Sequence, residues 1–166
     1  MTRARVRTMA ACLLATALPL ANAQEGAEGK TPDPRVAATL QEAKLGYRLD
    51  DGDFRLEYDV GDSRSQLVWV ASGTTKLDQL EIRDVWSVAS HGTGTLPAEL
   101  AGHLLRENAR MILGAWQVNQ GLDEYLVVFS APVIAGADAA MLREVIEVVT
   151  ISADRIEKEL TGRDEF

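Results

Sequence analysis

Cysteine is almost missing from this sequence: of 166 residues only Cys12 is one, and it lies inside the first apolar run. A chain trimmed after that run would hold no thiol, which excludes disulfide staples, thiol nucleophiles and cysteine metal ligands. Packing must then hold the fold alone. Histidine is nearly as scarce. His91 and His103 have no histidine or cysteine three or four positions on, where a zinc pair would need one. The residue four on from His103 is Glu107, a pairing expected of a solvated helix face. The chain also lacks a G-x-S-x-G nucleophile elbow, a complete dinucleotide fingerprint and a phosphate-binding loop. An α/β-hydrolase or a nucleotide-binding enzyme is therefore not expected, and neither a metal nor a cofactor is. Long apolar runs are absent too, so no segment has the roughly 20 residues that a spanning helix requires.

What is present begins with an export pattern. Arg3, Arg5 and Arg7 precede the short apolar stretch MAACLLATALPLA, and Ala21-Asn22-Ala23 offers small residues for cleavage after Ala23. Residues 1–23 read as a signal peptide and the protein as periplasmic or secreted. Cys12 precedes most of the apolar run, so lipid attachment is not expected, and the arginines are not adjacent as the twin-arginine route needs. Removing three of the 17 basic residues leaves 14 against 25 acidic ones, a net charge of −11. Nucleic acid and anionic membrane surfaces reward the opposite sign and make poor partners. Residues 24–34, QEGAEGKTPDP, are small, polar and proline-punctuated, and read as a disordered leader before a single domain at 35–166.

Within that domain the hydrophobic period alternates between helix and strand. Asp33 caps and Pro34 opens a first helix with Val36, Leu40 and Ala43 on one face, ended by Gly46. Tyr47–Leu49 begins a hairpin through Asp51-Gly52, and Phe54, Leu56, Tyr58 and Val60 then alternate with charged residues. Strands follow at 65–72 and 80–90, with a loop containing Gly73 between them. A helix at 96–113, two strands around Gly121-Leu122-Asp123 and a long amphipathic helix at 137–160 complete the chain. The expected fold is α+β in the order α-β-β-β-β-α-β-β-α, an antiparallel sheet of five to six strands with helices mainly on one face.

Four features invite chemistry. The acids of LDDGD suggest calcium, but an EF-type loop would need oxygen ligands where Leu49 and Tyr47 stand, so the stretch reads as a hairpin with solvated acids. A small periplasmic metal-dependent hydrolase using His91 or His103 with acidic residues is the enzymatic rival. Trp69, Trp86 and Trp116 all fall in strands and suit a core, yet a tryptophan on an open sheet face is a common binding anchor. Val148 and Ile151 widen the apolar face of the last helix beyond what one sheet surface covers. Trp69, Trp86, Val148 and Ile151 are thus the candidate partner-binding residues, and Asn108, in register with Leu100, Leu104 and Met111, is a candidate buried amide that pins backbone.

The hairpin GYRLDDGDFRLEYDV, the strand SRSQLVWV, the segment LLRENARMILGAWQV and the closing ADRIEKELTGRD together resemble the YbjN family and, through it, the fold of type III secretion chaperones. The resemblance spans residues 35 to 164. It implies a small, acidic, usually dimeric and non-enzymatic protein that holds an extended segment of a partner along its sheet and helix surfaces. It brings no catalytic residues. Such chaperones work in the cytoplasm, whereas this chain carries an export pattern, so a role in loading a secretion apparatus does not transfer. The reading is an exported protein-interaction module, with a protein partner or a second copy as its target; an envelope structural role is the remaining alternative.

Overall fold

A computed structural model describes residues 30–166. The signal-peptide reading of residues 1–23 and the leader up to residue 29 lie outside the described residues. The chain forms α1 (Pro34–Glu42), β1 (Arg48–Asp50), β2 (Asp53–Gly61), β3 (Arg64–Val70), β4 (Thr75–Leu77), β5 (Leu80–Thr93), α2 (Ala98–Asn108), β6 (Ala115–Gln120), β7 (Glu124–Ile134) and α3 (Ala139–Thr161). The expected α+β class with an antiparallel sheet is found. The sheet has seven strands in the order β1-β2-β3-β5-β7-β6, with β4 paired to β5 beside that path. β4 is the strand the sequence did not reveal, because Thr75–Leu77 is too short and too exposed to show an alternating pattern.

Local chemistry explains the boundaries. Asp33 caps α1 by accepting from the Arg35 backbone N–H at 2.8 Å, with Pro34 in the first turn where its missing N–H costs nothing. Asp51 and Gly52 take φ of 46° and 78°, the left-handed pair a two-residue hairpin needs, and they set β1 against β2. Asp138 caps α3 and Gly162, at φ 66°, ends it. The second helix stops at Asn108, short of the expected residue 113, because residues 109–114 turn the chain into β6. Gly114 at φ 80° makes that turn where a Cβ would stand 2.8 Å from the Phe129 ring.

The core lies on one face of the sheet. Phe54 and Leu56 of β2, Val68 and Val70 of β3, Val85 of β5, and Val127, Phe129 and Ala131 of β7 are buried there against Leu142, Ile146, Val149, Ala153 and Ile156 of α3. α1 adds Val36 and Leu40, and α2 adds Leu104. Each of the larger side chains contributes about 1.5–3 kcal/mol by leaving water.

Two expectations about polar groups need correction. Asp53 of the acidic hairpin is not solvated: it is buried, accepts from the Ser72 backbone N–H at 2.8 Å and pairs with Lys30 at 3.1 Å. The last residues of the expected leader are thereby part of the fold, since Lys30 reaches Asp53 and the Asp33 N–H donates to Ser72 Oγ. Glu107 is likewise buried and bonds Arg155 and Arg110, leaving His103 with Nε2 3.5 Å from Glu159.

One buried cation ties three segments together. The Arg83 guanidinium, only 2% exposed, donates to Ala71 O at 2.7 Å, to Ser72 O at 3.3 Å and to Asp33 Oδ2 at 2.7 Å, with Ala135 O at 3.5 Å. The Arg35 guanidinium bonded to Asp33, together with Arg83, holds its carboxyl well below the usual carboxylate range against the opposing effect of burial. Arg35 lies outside this knot, half exposed, bridging Asp33 and Glu81. Arg83→Met should therefore lower the unfolding free energy by about 3 kcal/mol, the cost of stranding a buried partner. Arg35→Met should cost less than about 1 kcal/mol. Urea titration of both variants checks the contrast, and equal losses would remove Arg83 from its central role.

Candidate functional site

The face of the sheet opposite the helices has no helix on it among the described residues. Its side chains come from the odd positions of β2 and β3, since the even positions point into the core. Paired positions then run in one line across six strands. Arg48 faces Arg55, Arg55 faces Trp69, Trp69 faces Trp86, Trp86 faces Ser130, and Ser130 faces Ala115. The row passes from two cations through two indoles to two small residues.

The centre of the row is rigid. The Trp69 and Trp86 rings stack with centroids 4.5 Å apart and planes inclined by 7°. Both are half-buried, and Trp69 Nε1 donates to Asp50 Oδ2 at 2.9 Å. Beside them an open depression of about 290 Å³ is lined by Gly46, Tyr47, Arg48, Arg55, Glu57 and Leu67. That size suits one or two side chains of a ligand and is small for a cofactor. Neither arginine forms an ion pair with a carboxylate among the described residues, although like charges directly opposite each other are destabilising.

The candidate residues fall on two surfaces. Trp69 and Trp86 are neighbours on the open sheet face. Val148 and Ile151, 38% and 61% exposed, lie on α3, which packs on the other face. With Met141, Ile134 and Leu113, Val148 borders a groove of about 300 Å³ between α3 and the end of β7, and Ile151 lies in a shallower depression next to it. The four residues do not converge on one site. Trp116 belongs to the core, edge-on to Phe129 at 5.0 Å. Asn108 does pin backbone: its Oδ1 accepts from Trp116 N–H at 2.6 Å and its Nδ2 donates to Trp116 O at 3.2 Å, closing the outer edge of β6.

Neither histidine meets a catalytic or metal-binding partner set among the described residues. His91 is exposed at the end of β5, with Phe166 edge-on at 5.8 Å. Asp154, Glu157 and Asp164 do bring carboxylate oxygens within 4.8 Å of one another. Arg64 answers that charge, with Nε 2.6 Å from Asp154 and Nη2 3.2 Å from Glu157. Glu157 is fully buried and also accepts the backbone N–H groups of Glu165 and Phe166, so the cluster fastens the tail behind α3.

Sequence reasoning missed Arg48 and Arg55. The signal was present: a two-residue turn at Asp51-Gly52 pairs residue 50 with 53 and hence 48 with 55. The tryptophan pairing could not be found that way, because β4 and a loop separate β3 from β5. No protein-family model matches the chain, and no curated protein matches it. Among solved structures, the crystal structure of YbjN from E. coli, titled as a proposed transcription regulator, is similar with a TM-score of 0.48. The alignment has 10% identity and covers 78% of this chain and 90% of that one. No activity passes across such a likeness.

Burial pushes the Glu157 carboxyl above its ordinary value, and the nearby Asp164 charge adds to this, against the two tail N–H groups and Arg64. A raised folded value means that the folded state holds the proton more tightly than the unfolded chain. Stability attributable to Glu157 therefore rises as pH falls from the folded value to the ordinary 4.5 and is level below that. Thermal melts of the wild type and Glu157→Gln across pH 4 to 8 should show the wild type gaining on the variant as pH falls through this window. A difference that shrinks on acidification would reverse the assignment.

Proposed function

We propose that this protein is an exported, non-enzymatic binding module that holds an extended segment of a partner protein against the open face of its sheet. The observation that carries this reading is the stacked Trp69–Trp86 pair, presented on a sheet face that no helix covers among the described residues and bordered by a side-chain-sized depression. Stacked indoles give a large, flat apolar area that is already ordered, so a ligand meets little entropy cost on their side. The export pattern of residues 1–23 supports action outside the cytoplasm. The non-enzymatic reading is supported by the drawing of Asp33, Glu107, Asp154 and Glu157 into ion pairs that join segments of the fold.

The test is cross-linked capture with the tagged protein from envelope extract, comparing wild type, Trp69→Ala and Val148→Asp, each first checked for folding by circular dichroism. A specific protein recovered near stoichiometry with wild type and Val148→Asp, and weakened about thirtyfold or more by Trp69→Ala, supports the sheet face. Retention by Trp69→Ala overturns it.

A second reading, self-association through α3, is favoured by Met141, Val148 and Ile151, which expose 42%, 38% and 61% of their surface on one helix. Sedimentation velocity checks it: a dimer that becomes monomeric on Ile151→Asp supports it, and a wild-type monomer at 100 micromolar (~10⁻⁴ M, where even a weak ~10⁻⁵ M dimer would populate) removes it.

A further inference from the structure

We propose that Arg48 and Arg55 form the charged half of a two-part recognition site, binding a carboxylate side chain of an extended partner segment whose neighbouring apolar side chain packs on Trp69 and Trp86. This deepens the sheet-face reading and rests on it. The two guanidiniums face each other in register across β1 and β2, line the same depression, and have no carboxylate partner within ion-pair distance among the described residues. Arg48 is exposed and Arg55 half-buried; elsewhere Arg64 meets Asp154 and Glu157 and Arg83 meets Asp33, while the half-buried Arg143 donates to a backbone carbonyl. Two facing, unmatched cations weaken the hairpin that carries them. A bridging carboxylate would reverse that repulsion, because guanidinium forks suit the planar, two-oxygen geometry of a carboxylate.

Charge and size select the occupant. The whole chain carries a net charge of −8, which repels every anion in proportion to its charge, so the arginine pair favours a segment with a single acidic group over a polyanion such as nucleic acid. Glu57 lines the depression with the two arginines, so the three side chains carry one net positive charge, enough for a single acidic group. Arg55 is directly opposite Trp69, so the cationic and aromatic parts adjoin at strand spacing. An extended segment repeats its same-face side chains at about 7 Å, so one with an acidic residue and an apolar residue two positions on presents both to the two parts. The ligand class is therefore an acidic-apolar strand of a protein.

The experiment titrates tryptophan fluorescence of the full protein at low salt with two capped hexapeptides. One carries a single glutamate with valine two positions on and serine elsewhere; the other replaces that glutamate by glutamine. The glutamate peptide should bind about tenfold tighter, as expected for one charge-assisted contact, and 0.5 M salt should erase most of the difference. The double variant Arg48→Gln, Arg55→Gln should lose that preference and bind the two peptides with equal affinity. Its melting temperature should be unchanged or higher, since the repulsion is gone, and this also shows that it folds. Equal affinity of the wild type for both peptides overturns the arginine assignment while leaving the sheet face in place. A preference that survives in the double variant, or displacement of the glutamate peptide by inorganic phosphate but not by equal acetate, overturns it too. Absence of any fluorescence response to either peptide also overturns it, and the Trp69→Ala capture then decides separately whether the sheet-face reading stands.

Discussion

The two halves of the sheet, β1-β2-β3 and β5-β7-β6, meet at two ladder positions only, Trp69 with Trp86 and Val70 with Val85. The rest of the structure depends on this short seam. Just beyond it β5 carries a bulge at Ala89, and the two strands part. Side chains then take over from the ladder. Gln66, fully buried, donates to Val88 O at 2.7 Å and to Ser87 Oγ at 3.0 Å, while Ser87 Oγ donates to Leu67 O. At the other end Arg83 gathers Ala71, Ser72 and Asp33. α3 braces the seam from the core side by packing on both half-sheets, and the stacked indoles brace it from the open side.

That arrangement gives the tryptophan pair two tasks that share one geometry. The rings fill the space over the seam, which fixes their positions, and their outer surface remains half open. A binding surface whose anchors are held by the fold itself loses little freedom when a ligand arrives. The charges are divided in a similar way. Most acids that the fold buries are matched by arginines that tie distant segments together, as Glu107 ties α2 to α3 through Arg155. Arg48 and Arg55 stand apart from that internal matching, at the edge of the open face.

Much of the fold was legible because local chemistry and tertiary packing agree. Asp33-Pro34, Asp51-Gly52 and the alternation from Phe54 to Val60 each state their structure within a few residues, and the helix period of α3 is long enough to be unambiguous. The departures have equally specific causes. β4 is too short and too exposed to show a pattern, and α2 ends early where the chain needs room to turn at Gly114. Asp53 and Glu107 look like ordinary surface acids in the sequence. Their partners, Ser72, Lys30 and Arg155, lie 19 to 48 residues away, and no local window contains them.

By itself the sequence determined the α+β class, the hairpin and its register, and hence also that Arg48 faces Arg55, because periodicity and a two-residue turn are local properties. Only the tertiary structure decided which residues share a surface. It set Trp69 against Trp86 and kept Val148 and Ile151 on the other side, because which strand neighbours which follows from how the whole chain closes over one core.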